Sequence, residues 1–429
     1  MATPSSTTNL RLTRFPPEID DFIIDLIGYG EDDGKAAWLH SCSLVCSSWE
    51  YRARPHILRV VRLGNIDHVR GLLDALLRKP HYRSFIKTLK LRCPERDHLS
   101  ESEKKALDID STAWLSRAII ALPTLLPNLH RLELHRLPGP EMMEKSFTSY
   151  FGNFKNIRSL RLEHLTEQTC YEIVRIINEF PDLRSLEISD CSWTQFGRPG
   201  QLKQRRLSEV YLDLRPDFER IMSAWMSRSD SLSTLRSLTW RSNQESSSQF
   251  LELLAGCANT LREATMTIDF PEDHHPQVPP LGKHEVLESF TLDVRQPLSD
   301  DVLYYFAEVM IDLPMSVRTV RLICNENFND VFIPPGRLHW ELLFLGYEQS
   351  NLSDIQRLEI YSRYPQTVDY TQIDEYLRGV LDRLYLRGVV WCVHRLSETS
   401  GLLHHKVMPN LQDRIEYLRI NDPTFQAPG

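Results

Sequence analysis

Three groups of residues have types and spacings that suggest chemistry. Cys42 and Cys46 stand four apart, one helical turn, and His274-His275 and His404-His405 are adjacent pairs. A zinc finger needs a second ligand pair at a fixed distance, which the cysteines lack, so they read as small core residues. Adjacent histidines diverge on regular structure and read as solvated loop or helix positions. No metal site is expected from either group. The third group lies toward the C-terminus, where Arg357, Tyr361, Arg383, Tyr385 and Arg387 recur at alternating positions. Arginine and tyrosine are over-represented at binding hot spots, and an arginine cluster reads acidic or phosphorylated segments. These five residues are the candidate substrate-binding patch. Phosphate-loop, dinucleotide, Gly-x-Ser-x-Gly and His-Glu-x-x-His patterns are absent from the sequence, so it predicts a binding protein with no catalytic residues and no cofactor.

Composition narrows the partners. Fifty Lys and Arg against 58 Asp and Glu leave a net charge of −8, which makes nucleic acid a poor partner. No apolar run approaches the roughly 18 residues of a membrane span, and residues 1–9 are polar. The eight cysteines are mostly isolated, unlike a disulfide framework. These features predict a chain of the cytoplasm or nucleus that does not enter a membrane.

The elements that position the arginine–tyrosine group emerge as a repeat. The hexamer apolar-x-x-apolar-x-apolar recurs as Ile86/Leu89/Leu91, Leu129/Leu132/Leu134, Ile157/Leu160/Leu162, Leu183/Leu186/Ile188 and Leu207/Val210/Leu212. It continues through Leu235/Leu238/Trp240, Leu261/Ala264/Met266, Leu287/Phe290/Leu292, Val317/Val320/Leu322, Ile355/Leu358/Ile360 and Leu381/Leu384/Leu386. From Leu129 the hexamers begin 28, 26, 24, 28, 26, 26, 30, 38 and 26 residues apart. A fixed period of this size marks a repeat architecture.

Between hexamers lie helical patterns. Cys170, Ile173, Val174 and Ile177 form one stripe, and Ser299 caps a segment running to Met310. Further helices are expected at 114–121, 141–151, 217–226, 249–254 and 372–380. Strand alternation sends every second residue of a hexamer inward and leaves the others wet. The outward row runs from Lys90, Arg131, Glu133, His135, Arg161, Glu163 and Glu187, through small residues such as Thr239, Thr265 and Thr291, to the arginine–tyrosine group. One unit cannot bury its own apolar face, so the units must stack into a continuous parallel sheet backed by helices.

This pattern resembles the leucine-rich-repeat solenoid with helical convex segments, and implies an irregular α/β horseshoe over residues 84–390. The pattern departs from the family where Trp240 and Ala264 replace leucine and where the 38-residue step carries an insertion. Residues 391–429, with Leu411, Ile415, Leu418 and Ile420, are expected to cap its open end.

Residues 15–63 carry no hexamer and read as three short helices: one after Pro16-Pro17, one from Lys35 to Cys46, and one through Trp49 to Val61. Residues 1–14 read as a disordered extension. Phe15-Pro16-Pro17-Glu18-Ile19, Ile23-Ile24, Leu26-Ile27, Leu39, Cys42-Ser43-Leu44-Val45-Cys46, Ser48-Trp49 and Arg52-Ala53-Arg54-Pro55 together resemble an F-box motif of the kind common in fungal proteins. The resemblance implies a substrate-receptor subunit of an SCF-type cullin-RING ubiquitin ligase. It places Pro16, Ile19, Ile23, Leu44, Val45 and Trp49 in contact with the Skp-type adaptor, and through it the cullin, or in support of that contact. The repeats would hold a protein client. The alternative is a leucine-rich-repeat binding scaffold acting outside a ubiquitin ligase. A module of this size cannot hide all its aliphatic side chains, and surplus apolar surface marks an interface.

Overall fold

The computed structural model of the chain describes residues 16–29, 35–95, 100–137, 149–165, 170–191, 206–214, 216–227, 230–242, 248–268, 278–324, 355–362, 390–397 and 401–406, with a few single positions between 340 and 350. The chain divides into two compact units, Met1–Val60 and Val61–Gly429.

The first unit holds α1 (Pro17–Tyr29), α2 (Lys35–Ser43) and α3 (Ser47–Leu58). Pro17 opens α1 at a position whose amide has no intrahelical partner, and the Pro16 carbonyl accepts from the Ile19 and Asp20 amides at 2.9 and 3.3 Å. Helix α2 ends at Ser43, short of the expected Cys46, because the Leu44 and Val45 amides turn back onto the Ser41 and Cys42 carbonyls, each at 3.1 Å. Helix α3 ends at Leu58 rather than Val61, and the β-branched Val60 and Val61 enter a strand. Ile24, Leu39, Cys42 and Ala53 form the small core, with Ile27, Trp49 and Ile57 packed against it.

A polar tie joins α1 to α3. The Asp25 carboxylate accepts from Arg52 Nε at 2.8 Å and faces His56 Nε2 at 2.9 Å. Gly28 makes this approach possible, since a Cβ there would overlap the His56 imidazole.

The second unit is built on one sheet of strands β1 (Val60–Leu63), β2 (Thr88–Arg92), β3 (Arg131–His135), β4 (Ser159–Glu163), β5 (Ser185–Cys191), β6 (Glu209–Leu214), β7 (Ser237–Ser242), β8 (Glu263–Ile268), β9 (Ser289–Val294), β10 (Thr319–Cys324), β11 (Arg357–Ser362), β12 (Val390–Ser397) and β13 (Gly401–Lys406). Their order in the sheet is their order in the chain. From β2 to β12 every neighbouring pair is parallel, whereas β13 returns antiparallel to β12. Interleaved with the strands are α4 (Ile66–Arg78), α5 (Glu101–Ala121), α6 (Cys170–Asn178), α7 (Pro216–Ser227), α8 (Ser248–Gly256) and α9 (Asp300–Asp312). The result is an open, solenoid-like α/β arrangement.

Register shows why the hexamer recurs. Leu89, Leu132, Leu160, Leu186, Val210, Leu238, Ala264, Phe290, Val320 and Leu358 stand opposite one another across β2–β11. The residues two further on, Leu91 through Ile360, form a second row, and the first apolar position of each hexamer, from Ile86 to Ile355, is buried as well. These rows and the apolar stripes of the helices form one contiguous core. Trp240 and Ala264, the departures from leucine, occupy the same rows, and both are buried.

Side chains just ahead of the strands tie successive units at the opposite edge. Asn128 and Asn156 donate to the Ser84 and Pro127 carbonyls at 3.0 and 2.9 Å, and Thr234 and Thr260 donate to Leu207 and Leu232, each at 2.9 Å.

Several expectations are corrected. The sheet begins before residue 84, at β1. The strand beside β11 is Val390–Ser397, and Leu381–Leu386 lies outside the described residues. Within the segment expected as a cap, β12 and β13 are the last two strands of the sheet. His404 and His405 sit on β13, opposite Val393 and Cys392, and not in a loop or helix. Leu411–Ile420 and the helices expected at 141–148 and 372–380 lie outside the described residues. Helix α5 is longer than expected. Ser100 and Glu103 form a reciprocal capping box at its start, with the Ser100 amide donating to the Glu103 carboxylate at 2.8 Å.

Because Leu186 is buried between Leu160 and Val210, truncating it leaves a void in a continuous row. Leu186→Ala is expected to destabilise the sheet unit by about 2–5 kcal/mol in urea denaturation, with far-UV circular dichroism of the folded protein unchanged.

Candidate functional site

Two surfaces hold the residues singled out in the sequence. The first is the exposed apolar side of the helical unit. Helix α1 turns Ile24 inward and leaves Ile19, Phe22, Ile23 and Leu26 in solvent, a stripe at i, i+3, i+4 and i+7. The turn between α2 and α3 exposes Leu44 and Val45 at 86% and 61%. Pro16 is exposed at the start of α1. Of the six residues expected at the adaptor contact, these observations place Pro16, Ile19, Ile23, Leu44 and Val45 in solvent. Trp49 differs, since it leans on the core of the unit and supports α3. Phe22, Trp38 and Tyr51 are exposed apolar residues outside the motif, and Leu26, inside it, is exposed though not among the six expected at the contact. The i, i+3, i+4, i+7 spacing from Ile19 singles out Phe22 and Leu26 in the sequence; no sequence signal separates Trp38 or Tyr51 from core aromatics.

The second surface is the sheet face opposite the helices. Along it run Lys90, Glu133, Arg161, Glu187, Tyr211, Thr239, Thr265, Thr291, Arg321 and Glu359, each opposite the next. In β2–β5 cations and carboxylates alternate across strands and pair. Lys90 Nζ lies 2.6 Å from Glu133, Arg131 Nε 2.8 Å from Glu133, and Arg131 and Arg161 each 3.3 Å from Glu187. His135 Nδ1 and Arg161 Nε both stand 3.1 Å from Glu163. The face is wet only in part: Glu133 is 3% exposed because its long neighbours fold over it. Farther along, Asp213 is buried between Arg241 and Arg295, at 3.3 and 2.6 Å.

Environment drives the carboxylates of the first network apart. Burial pushes Glu133 up, but hydrogen bonds from His135 and Lys90 and the charges of Lys90 and Arg131 outweigh it and bring its pKa down to about 2. At Glu187 burial dominates over Arg161 and Arg131, and the carboxyl is raised.

The arginine–tyrosine patch is brought together only in part. Arg357 and Tyr361 lie on β11, and Arg321 lies beside them on β10. Arg383, Tyr385 and Arg387 lie outside the described residues. Glu359, between Arg357 and Tyr361, was missed although the same alternation points to it. Its buried carboxylate pairs with Arg321 and lies 3.8 Å from Arg357. The patch is therefore less cationic than its arginines alone suggest.

Strands β3, β4 and β5 end in an unusual backbone. Arg136, His164 and Asp190 have φ of 56, 53 and 49°, the left-handed region, at corresponding positions of three successive units. In β5 this residue shifts the register between Ser189 and Cys191. Cys191 then turns into the core, where burial pushes its thiol up to about 12.

Two outcomes follow from this geometry. Gly28→Ala forces His56 away from Asp25 and is expected to lower the stability of the helical unit by about 1–3 kcal/mol in thermal unfolding, with little change in the sheet unit. The lowered Glu133 pKa favours the ionised form in the folded state. Its contribution is complete above about pH 4.5 and is lost as pH falls from 4.5 toward 2. Acid unfolding should show at most about 3 kcal/mol of this dependence, and Glu133→Gln should flatten it.

No family model matches the chain. No curated protein matches it either. Among solved structures, a Bacteroides fragilis protein from a structural genomics consortium is similar over 80% of this chain and 74% of its own, at 12% identity and a TM-score of 0.33, too low to support any inference.

Proposed function

We propose that the chain is a non-catalytic substrate receptor of an SCF-type cullin-RING ubiquitin ligase. In this reading α1–α3 are an F-box that docks on a Skp-type adaptor, and the sheet unit is a leucine-rich-repeat surface that holds a protein client. The observation that carries it is the coincidence of motif and exposure. Pro16, Ile19, Ile23, Leu44 and Val45, at the motif's adaptor positions, are exposed apolar residues on a unit whose core is Ile24, Leu39, Cys42 and Ala53, with Ile27, Trp49 and Ile57 packed against it.

Solvated apolar side chains on α1 and on the α2–α3 turn are costly unless covered, and burial of each large one is worth about 1.5–3 kcal/mol. Trp49 acts from behind, holding α3 against α2. The contribution to ubiquitination is proximity: a client held on the sheet unit reaches the conjugating enzyme at high effective concentration. On the sheet face, paired charges give register and selectivity more than raw affinity. Arg321, Arg357 and Tyr361 are the described residues proposed to read the client, with Glu359 restricting which anions they accept.

The test is co-expression of the full chain with a Skp-type adaptor and size-exclusion chromatography. Wild type is expected to co-elute, and Ile19→Asp/Leu44→Asp, which alters only exposed side chains, is expected to weaken the complex at least 30-fold with an unchanged unfolding midpoint. A folded wild-type chain that elutes alone would favour the binding scaffold outside a ligase.

A further inference from the structure

At the rim where β4 and β5 end, Glu163, His164 and Asp190 each offer one ligand atom, and these atoms lie within 4.8 Å of one another. In a regular strand the consecutive residues Glu163 and His164 would point to opposite faces. The left-handed backbone at His164 undoes that alternation and brings its Nε2 to 3.7 Å from Glu163 Oε1. The His164 amide donates to the Ser189 carbonyl at 3.2 Å, which fixes the turn beside β5, where the left-handed Asp190 follows. Arg136 occupies the corresponding place after β3, but there the guanidinium pairs with Glu95. The three-unit device thus carries a cation in one unit and an imidazole and a carboxylate in the next two.

We propose that Glu163, His164 and Asp190 bind a divalent transition-metal ion, Zn2+ by the chemistry of the set. The 3.7 Å between nitrogen and oxygen is too long for a hydrogen bond. It is close to the roughly 3.3–3.6 Å edge of a tetrahedron with bonds of about 2.0–2.2 Å. One imidazole with two carboxylates suits Zn2+ better than Mg2+ or Ca2+, which take oxygen ligands in larger number. Glu163 Oε2 lies 3.1 Å from both His135 Nδ1 and Arg161 Nε, and the charge of Arg161 limits the affinity of the site. Cys191, next to Asp190, is not a ligand, since its buried thiol donates to the Ser189 carbonyl at 3.2 Å. Three protein ligands leave one position for water or for a group of a partner.

The test is Zn2+ titration of the full chain under reducing conditions against a chromophoric chelator, with Co2+ absorption as a second readout. His164→Asn and Asp190→Asn are the variants, because asparagine tolerates the left-handed backbone. Wild type is expected to hold one equivalent more than either variant, the variants binding at that site at least tenfold more weakly. Its Co2+ complex should show a tetrahedral visible band that both variants lack. Equal Zn2+ stoichiometry and identical Co2+ spectra in all three proteins would overturn the proposal and leave the trio as a polar cluster that binds no metal.

Discussion

The constraint on which the sheet unit depends is that no repeat can bury its own apolar face. Each hexamer contributes three inward side chains, and each becomes core only because the strands before and after present the same positions in register. The rows tolerate changes of shape, as Trp240 beside Met266 and Ala264 beside Phe290 show, but not a slip of one residue, which would exchange the leucine rows for the charged row. The Asn and Thr ties ahead of the strands hold that register at one edge of the sheet.

Confining the apolar residues to one side decides what the other side can do. Its polar groups are crowded by neighbours about 4.8 Å away, so carboxylates such as Glu133, Asp213 and Glu359 become buried and must be paired. The outcome in β2–β5 is an alternation of signs that satisfies itself, and in β6–β9 a stretch of threonines beside the Asp213–arginine cluster. The face is a preorganised pattern of paired charge instead of a field of one sign. The helical unit follows the opposite rule. Its core is small, and of the apolar residues it leaves exposed most stand on α1 and on the α2–α3 turn, with Trp38 on α2 and Tyr51 on α3.

Much of this was legible in the sequence. The hexamer period located the ten strands from β2 to β11, because a two-residue alternation repeated at near-constant spacing has one physical solution. Ser299 caps α9 as its place in the sequence predicts: its side chain accepts from the Val302 amide at 3.4 Å. What escaped had weak local signals. Val60–Leu63 reads as a helix tail, and Val390–Ser397 lacks the leucine spacing although it pairs with β11. Glu359 is legible only in the whole alternating row of β11, where it stands between Arg357 and Tyr361, and not in the arginines and tyrosines taken alone. The left-handed positions at Arg136, His164 and Asp190 carry no glycine to announce them, and only the backbone shows that Glu163 and His164 face the same way.

The central claim is that the exposed apolar side of the helical unit is an adaptor-docking surface. Hydrogen–deuterium exchange of the full chain, with and without a Skp-type adaptor, tests it most directly because it locates the contact without altering the protein. Slowed exchange over α1 and the α2–α3 turn is expected, with the strands from β2 to β11 unchanged. Exchange in residues 17–58 that is the same with and without adaptor would contradict it.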